Sequence, residues 1–203
     1  MDVQTENQTQ AAKIPRSGVV IVSGGQTGAD QGGFRAGQAL GLGRRGWAPK
    51  NWTTEIGVVP SIYRLGMLEH PDYDLLARTR ANVECSDLTL CFIRGKVTTG
   101  TERTLVYAKT LPRPCLLVDL STEQATLTDM RTSIQRAVQR LYAQPERRTG
   151  DRHAWAGVSG LVGDHTHSVW VNVAGSRESM APGIGELVRA FLVETLDPLL
   201  EPR

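Results

Sequence analysis

The stretch Val19-Val20-Ile21-Val22-Ser23-Gly24-Gly25-Gln26-Thr27-Gly28-Ala29-Asp30 constrains the fold of this chain more than any other. Four β-branched apolar residues in succession, with no polar alternation, read as a strand buried on both faces, as in a parallel sheet. Two glycines end it and a helix-forming segment follows. The pattern predicts a strand over Val19–Ser23 and a helix from about Thr27 to Leu40, ended by Gly41-Leu42-Gly43. A helix that starts there presents free N–H groups and the positive end of its dipole. Glycines let an anion approach the backbone where a side chain would block it. A plain strand–turn–helix needs no such run of small residues, which persists here through Gly28. Ser23, Gly24, Gly25, Gln26, Thr27 and Gly28 are therefore candidate ligand-binding residues. The stretch contains neither G-x-G-x-x-G nor G-x-x-x-x-G-K-[ST]. Asp30 has two open readings: compensation of the helix dipole, or contact to a ribose or pterin donor.

A second stretch follows the same logic. Leu88–Ile93 is a strand candidate, Arg94-Gly95-Lys96-Val97-Thr98-Thr99-Gly100-Thr101 is a turn, and Glu102–Thr110 has helix-forming composition. Thr98, Thr99 and Thr101 offer hydroxyls for capping or for phosphate oxygens, and Gly100 admits close approach. Arg94 adds positive charge. Two such turns at the C-terminal ends of strands predict a crevice between adjacent strands of an open sheet, where folds of this type place ligands.

The rest of the chain fits one domain. Its 203 residues suffice for a substantial core, and a net charge of +2 gives no strong attraction to nucleic acid or a membrane surface. There is no long apolar run to span a bilayer. Residues 1–17 are polar and Gln/Thr-rich, lack the apolar segment of a signal peptide, and read as a disordered lead-in to a domain over 18–200. Cys85, Cys91 and Cys115 suit neither a disulfide framework nor a zinc site, which together points to a cytoplasmic protein with no structural metal. A short strand is predicted near Arg45–Ala48, an irregular segment over Asn51–Pro71, and a helix capped by Asp72 or Asp74 through about Glu84. Cys115–Leu120 is a further strand, parallel to Leu88–Ile93 through the helix between them. Trp47 and Trp52 are candidates to stack on a flat heterocycle.

Residues 121–168 read as an insertion. Leu127, Met130, Ile134, Val138 and Leu141 share one face of a helix, as core packing or as a subunit contact. Arg131, Arg136, Arg140, Arg147, Arg148 and Arg152 make the region basic, which fits a solvated face better than nucleic-acid binding. Asp164, His165 and His167 are too close in sequence to converge readily on a metal. A strand at Val169–Val173 and a helix at about Ile184–Leu196 close the chain.

Five blocks, in order and spacing, carry a family resemblance. They are Ser23–Asp30, Gly46-Trp47-Ala48-Pro49-Lys50, Arg80-Ala81-Asn82-Val83 with Ser86-Asp87, Thr99-Gly100-Thr101, and Asn172-Val173-Ala174-Gly175 with Arg177-Glu178-Ser179 and Ala181-Pro182-Gly183-Ile184. Over about residues 18–120 and 169–195 the chain resembles the molybdenum cofactor carrier protein family. That family belongs to a wider Rossmann-like group with lysine-decarboxylase-like cytokinin-activating hydrolases and DNA-processing proteins. The resemblance implies an α/β Rossmann-like fold, an open and mostly parallel sheet flanked by helices. It also implies a homo-oligomer (dimer or tetramer) and a bound phosphorylated pterin or nucleotide, foremost the molybdenum cofactor, with Arg177 or Arg94 adding charge. The related hydrolases read Gly-Gly-x-Gly-Thr-x-x-Glu with a catalytic final Glu. Thr104 stands at that position here, and Glu102, two residues earlier, is rotated by about 200° on a helix. Carriage of a phosphorylated heterocycle without catalysis is the favoured reading. A nucleotide N-glycoside hydrolase and a nucleic-acid-associated regulator are the alternatives.

Overall fold

The computed structural model describes residues 12–148, 150–152 and 167–203. Its centre is a six-stranded, wholly parallel sheet. The strands are β1 (Val19–Val22), β2 (Gly43–Ala48), β5 (Met67–Glu69), β6 (Leu88–Ile93), β7 (Cys115–Asp119) and β8 (Val169–Gly175), in the spatial order β5-β2-β1-β8-β6-β7. A two-stranded antiparallel hairpin, β3 (Thr53–Thr54) and β4 (Gly57–Val58), stands apart. The helices are α1 (Ala29–Leu40), α2 (Ser61–Arg64), α3 (Leu75–Glu84), α4 (Thr99–Thr110), α5 (Gln124–Ala143) and α6 (Ile184–Leu196). This is the expected α/β Rossmann-like arrangement.

Every residue of β1 and β6 is buried, as an unbroken apolar run requires. Alternate side chains serve opposite faces. Val19, Ile21, Val171, Val173, Leu90 and Phe92 join α1, α5 and α6 in the main core. Val20, Val22 and Trp170 join Cys85 in a smaller cluster on the other face, against which Trp47 packs. That second face carries α3 and α4. Chain order turns outward from the centre in both directions, β1 to β2 to β5 on one side and β6 to β7 on the other, with β8 filling the gap. The two glycine turns therefore lie on strands separated by β8, not on adjacent strands as the sequence suggested.

The apolar stripe of α5 is spent inside the subunit: Ile134, Val138 and Leu141 are buried, and Leu127 and Met130 pack against the same core. That removes the reason for placing a subunit contact there. Within the stretch read as an unstructured lead-in, Ile14 is buried and bridges Leu200; its N–H donates to Leu199 O at 2.8 Å, and Glu201 N–H donates to Ile14 O at 2.9 Å. Cys91 and Cys115 are free thiols with sulfurs 4.0 Å apart.

Two of the region's arginines are structural. Asp87, fully buried at the start of β6, accepts Trp170 N–H at 2.9 Å, Gly150 N–H at 3.2 Å and the Arg152 guanidinium. Arg152 also lies over the Trp170 ring and, with Arg148, donates to Ser168 O at 3.1 Å. Removing one partner of such a buried network strands the others. Asp87→Ala is expected to cost about 3–5 kcal/mol, readable as a lower urea midpoint. A loss under about 1 kcal/mol would show that water replaces the carboxylate.

Candidate ligand-binding cleft

The C-terminal ends of β1 and β8 open into a cleft of about 170 Å³ on the α3/α4 face. Asn172, Ala174 and Gly175 of β8 lie beneath it, Leu75, Leu76, Arg78, Thr79 and Asn82 of α3 wall one side, and Gly100 and Thr104 of α4 the other. Gly24, Gln26, Asp30 and Arg177 complete the lining. The strand-order reversal lies here, where open α/β sheets bind ligands.

Within this site the glycine turn does something the sequence did not disclose. A Cβ on Gly24 would lie 1.7 Å from Arg78 Nη1 and 2.9 Å from Asp30 Oδ2. The close approach that Gly24 permits is thus taken by a guanidinium from α3. Arg78 Nη1 stands 3.5 Å from Asp30 Oδ2, and both side chains are largely buried. Burial pushes the Asp30 carboxyl above its ordinary range, opposed by Arg78 and by the Gln26 and Gly24 N–H groups. Asp30 therefore faces the turn and Arg78.

The N–H groups of the turn into α1 are largely committed. Gln26 N–H donates to Asp30 Oδ2 at 3.2 Å, Thr27 N–H to Gln26 Oε1 at 2.9 Å, and Ala29 N–H to Ser176 O at 3.1 Å. Gly25, at φ +76°, turns toward Val59 and Met67 rather than the cleft. Gly28, also at φ +76°, packs against the Ser176–Glu178 backbone. Ser23 is buried with its hydroxyl unpartnered.

At α4 the candidates divide. Gly100 lines the cleft with open space before it. Thr98 caps the helix, accepting Thr101 N–H at 3.4 Å, and its hydroxyl pairs with that of Thr101 at 3.1 Å. Thr99 is exposed and does not line the cleft, and Arg94 donates to Pro182 O at 3.2 Å, away from it. Thr104 does line it, with Oγ1 donating to Gly100 O at 3.3 Å, whereas Glu102 is exposed outside. Neither tryptophan is among the lining residues. Trp47 sits edge-on to His70, and its backbone is held by Asn82, which accepts Trp47 N–H at 2.7 Å and donates to its carbonyl at 3.1 Å. Trp52 lies under Arg64.

On the other side of the same turn, Glu55 at the hairpin tip accepts the Thr27 hydroxyl, Ser179 N–H at 3.2 Å and the Ser179 hydroxyl, and its own N–H donates to Gln26 Oε1 at 3.0 Å. Burial opposes its ionisation, but the bonds from Ser179 and Thr27 outweigh it and hold the carboxyl below its ordinary range. Glu178 accepts Gly185 N–H at 3.3 Å and Gly183 N–H, capping α6.

Among the described residues there is no group of three or more His, Cys, Asp or Glu able to hold a metal. Asp164 and His165 lie outside the described residues. No described helix is long and apolar enough to cross a membrane.

A family model for the circularly permutated YpsA SLOG family matches residues 21–152, well over half the chain. Among solved structures, a crystal structure of a "putative molybdenum carrier protein" from Syntrophus aciditrophicus matches with a TM-score of 0.66 and 30% sequence identity, covering 90% of this chain and 96% of that one. No curated protein matches the chain. The family match and the shared fold agree with the five sequence blocks: the chain belongs to the circularly permutated YpsA SLOG family.

Proposed function

We propose that this chain binds a small phosphorylated heterocycle in the Arg78 cleft, with carriage of a molybdenum cofactor the best named candidate. The observation that carries the reading is that two arginines, Arg177 and the Asp30-paired Arg78, line one cleft with the N-terminal turn of α4 at the strand-order reversal. Arginine forks and a helix N-terminus are matched to phosphate oxygens. The cleft is smaller than the roughly 300–1,000 Å³ usual for small-molecule sites. It therefore takes the anionic group and leaves the ring at the rim, against Leu75 and Leu76. The similar structure's name, a molybdenum carrier, points the same way. Native mass spectrometry of freshly purified protein tests the reading. A retained mass in the phosphorylated-pterin or nucleotide class supports it. Protein that retains nothing and shows no heat with adenosine monophosphate or a pterin phosphate overturns it. The same spectrum reports subunit number, where a dimer or tetramer is expected.

The cleft holds no carboxylate where the related hydrolases are expected to carry one. Thr104 occupies that wall and Glu102 is outside. Adenosine monophosphate is therefore expected to bind without release of free adenine, while Thr104→Glu directs a carboxylate into the cleft. Release at about 1 per second or faster by the unmodified protein would replace the carrier reading with the hydrolase one.

A further inference from the structure

The Glu55 carboxylate sits in a set of donors that none of the roles above requires. Thr27 and Ser179 come from two different turns, β1 to α1 and β8 to α6. These turns are pressed together: Ala29 N–H donates to Ser176 O, and a Cβ on Gly28 would lie 2.5 Å from that same oxygen. Two hydroxyls and one backbone N–H thereby converge on a single oxyanion, with Arg177 contributing charge from nearby. A cavity of about 500 Å³ adjoins them, lined by Thr27, Glu55 and Ser179 together with Glu178 and an Arg35–Glu186 ion pair.

What holds Glu55 there is unusual in its economy. No residue from Thr53 to Val58 is buried, and Ile56 is 80% and Val58 55% exposed. The hairpin tip is thus fastened by the bonds of Glu55, not by apolar packing. At its base Asn51 and Trp52 have φ of 60° and 57°, a region that side-chain-bearing residues occupy at a cost. A tip held by one carboxylate above a strained base is a segment that another anion can displace.

We propose that Thr27 Oγ1, Ser179 Oγ and Ser179 N–H form an oxyanion site that Glu55 fills in the closed state and that inorganic phosphate or a phosphomonoester takes when the hairpin lifts. The site is distinct from the Arg78 cleft, which lies on the opposite side of the glycine turn. The chain's own carboxylate is then a competitor that sets the affinity, and the hairpin is the reporter of occupancy.

The experiment is calorimetric titration of the full chain with inorganic phosphate, comparing wild type with E55A and E55Q. Removing the competitor is expected to tighten phosphate binding at least tenfold in E55A, with a gain in E55Q as well. Adding Ser179→Ala to E55A is expected to abolish that gain. In the wild type, saturating phosphate is expected to speed proteolysis within 53–58. No gain in either Glu55 variant, with circular dichroism showing both folded, would overturn the proposal. So would a gain that survives Ser179→Ala, because the anion would then be bound elsewhere. Arg177 faces both sites, so Arg78→Ala is added in the E55A background: a gain that survives it belongs to the Ser179 site, and a gain that it removes would overturn the proposal.

Discussion

Gly28→Ala is expected to remove a large part of the stability of this domain. Gly28 is the N-cap of α1 at φ +76°, where a Cβ is strained in any surroundings, by about 1–3 kcal/mol. Its surroundings are worse than that. The added carbon would lie 2.5 Å from Ser176 O, 2.7 Å from Glu178 N and 2.8 Å from Arg177 C, all backbone atoms of the turn after β8. Backbone cannot swing aside as a side chain can, so the two turns must separate and the Ala29–Ser176 hydrogen bond is lost with them. Together these effects exceed the range of an ordinary point change and reach about 4–5 kcal/mol, against a typical total of about 5–15 kcal/mol. Urea unfolding followed by circular dichroism measures it. Gly100→Ala is the contrast. That glycine lies in a helix with nothing within 4 Å of the added carbon, so its replacement is expected to leave stability unchanged or raise it by about 0.5–1 kcal/mol. Equal effects at the two positions would show that the Gly28 backbone contacts are not what holds the turns.

The central strands were legible because buried parallel strands are written as unbroken apolar runs, whereas the three-residue edge strand β5, inside the segment read as irregular, was not. Leu88–Ile93 matches β6 and Ile184–Leu196 matches α6 at both ends. The order of strands was not legible, since nothing in Val169–Val173 says that it inserts between β1 and β6. The hairpin within Asn51–Pro71 was missed because its strands are two residues each and its tip is fastened by contacts with residues far away in sequence. The segment read as an insertion contributes core because amphipathic spacing cannot say whether an apolar stripe meets its own sheet or a second subunit.

The candidate site was half legible, for a physical reason. The doubled glycine reports that something approaches the backbone closely at Gly24, and it does. Steric allowance is blind to charge, however, and a guanidinium needs the same space as a phosphate. The approaching group is Arg78, 54 positions later in the middle of a helix, with no local signature to mark it. The threonine hydroxyls were read as serving either capping or phosphate oxygens, and the sequence could not choose between them. Thr98 and Thr101 satisfy the helix start and each other, the first of those two uses. Asn82, quoted only as part of a family block, turns out to join two blocks by clasping the backbone of Trp47.

This geometry separates two neighbouring glycines that the sequence treats alike. Gly24→Ala is expected to weaken anion binding strongly while the fold survives. The added carbon would lie 1.7 Å from the far end of Arg78 and 2.9 Å from Asp30 Oδ2; both are side-chain ends, and the long arginine side chain can leave. Once it leaves, the cleft loses one of its two guanidinium groups, and Asp30, already pushed up by burial, loses its partner and is left neutral or repelling. A charged hydrogen bond contributes about 1.5–3 kcal/mol, so affinity for adenosine monophosphate should fall about 10- to 100-fold, matching Arg78→Ala. Gly25→Val should do the reverse. Its side chain would meet Val59 and Met67 at 3.0–3.3 Å from a backbone at φ +76°, which lowers the unfolding midpoint but leaves the Arg78 cleft furnished. Calorimetry and urea unfolding on the same three variants decide the matter. If Gly24→Ala binds the nucleotide as tightly as the wild type while Gly25→Val does not, the anion enters by the Val59 side and Arg78 is a structural ion pair only.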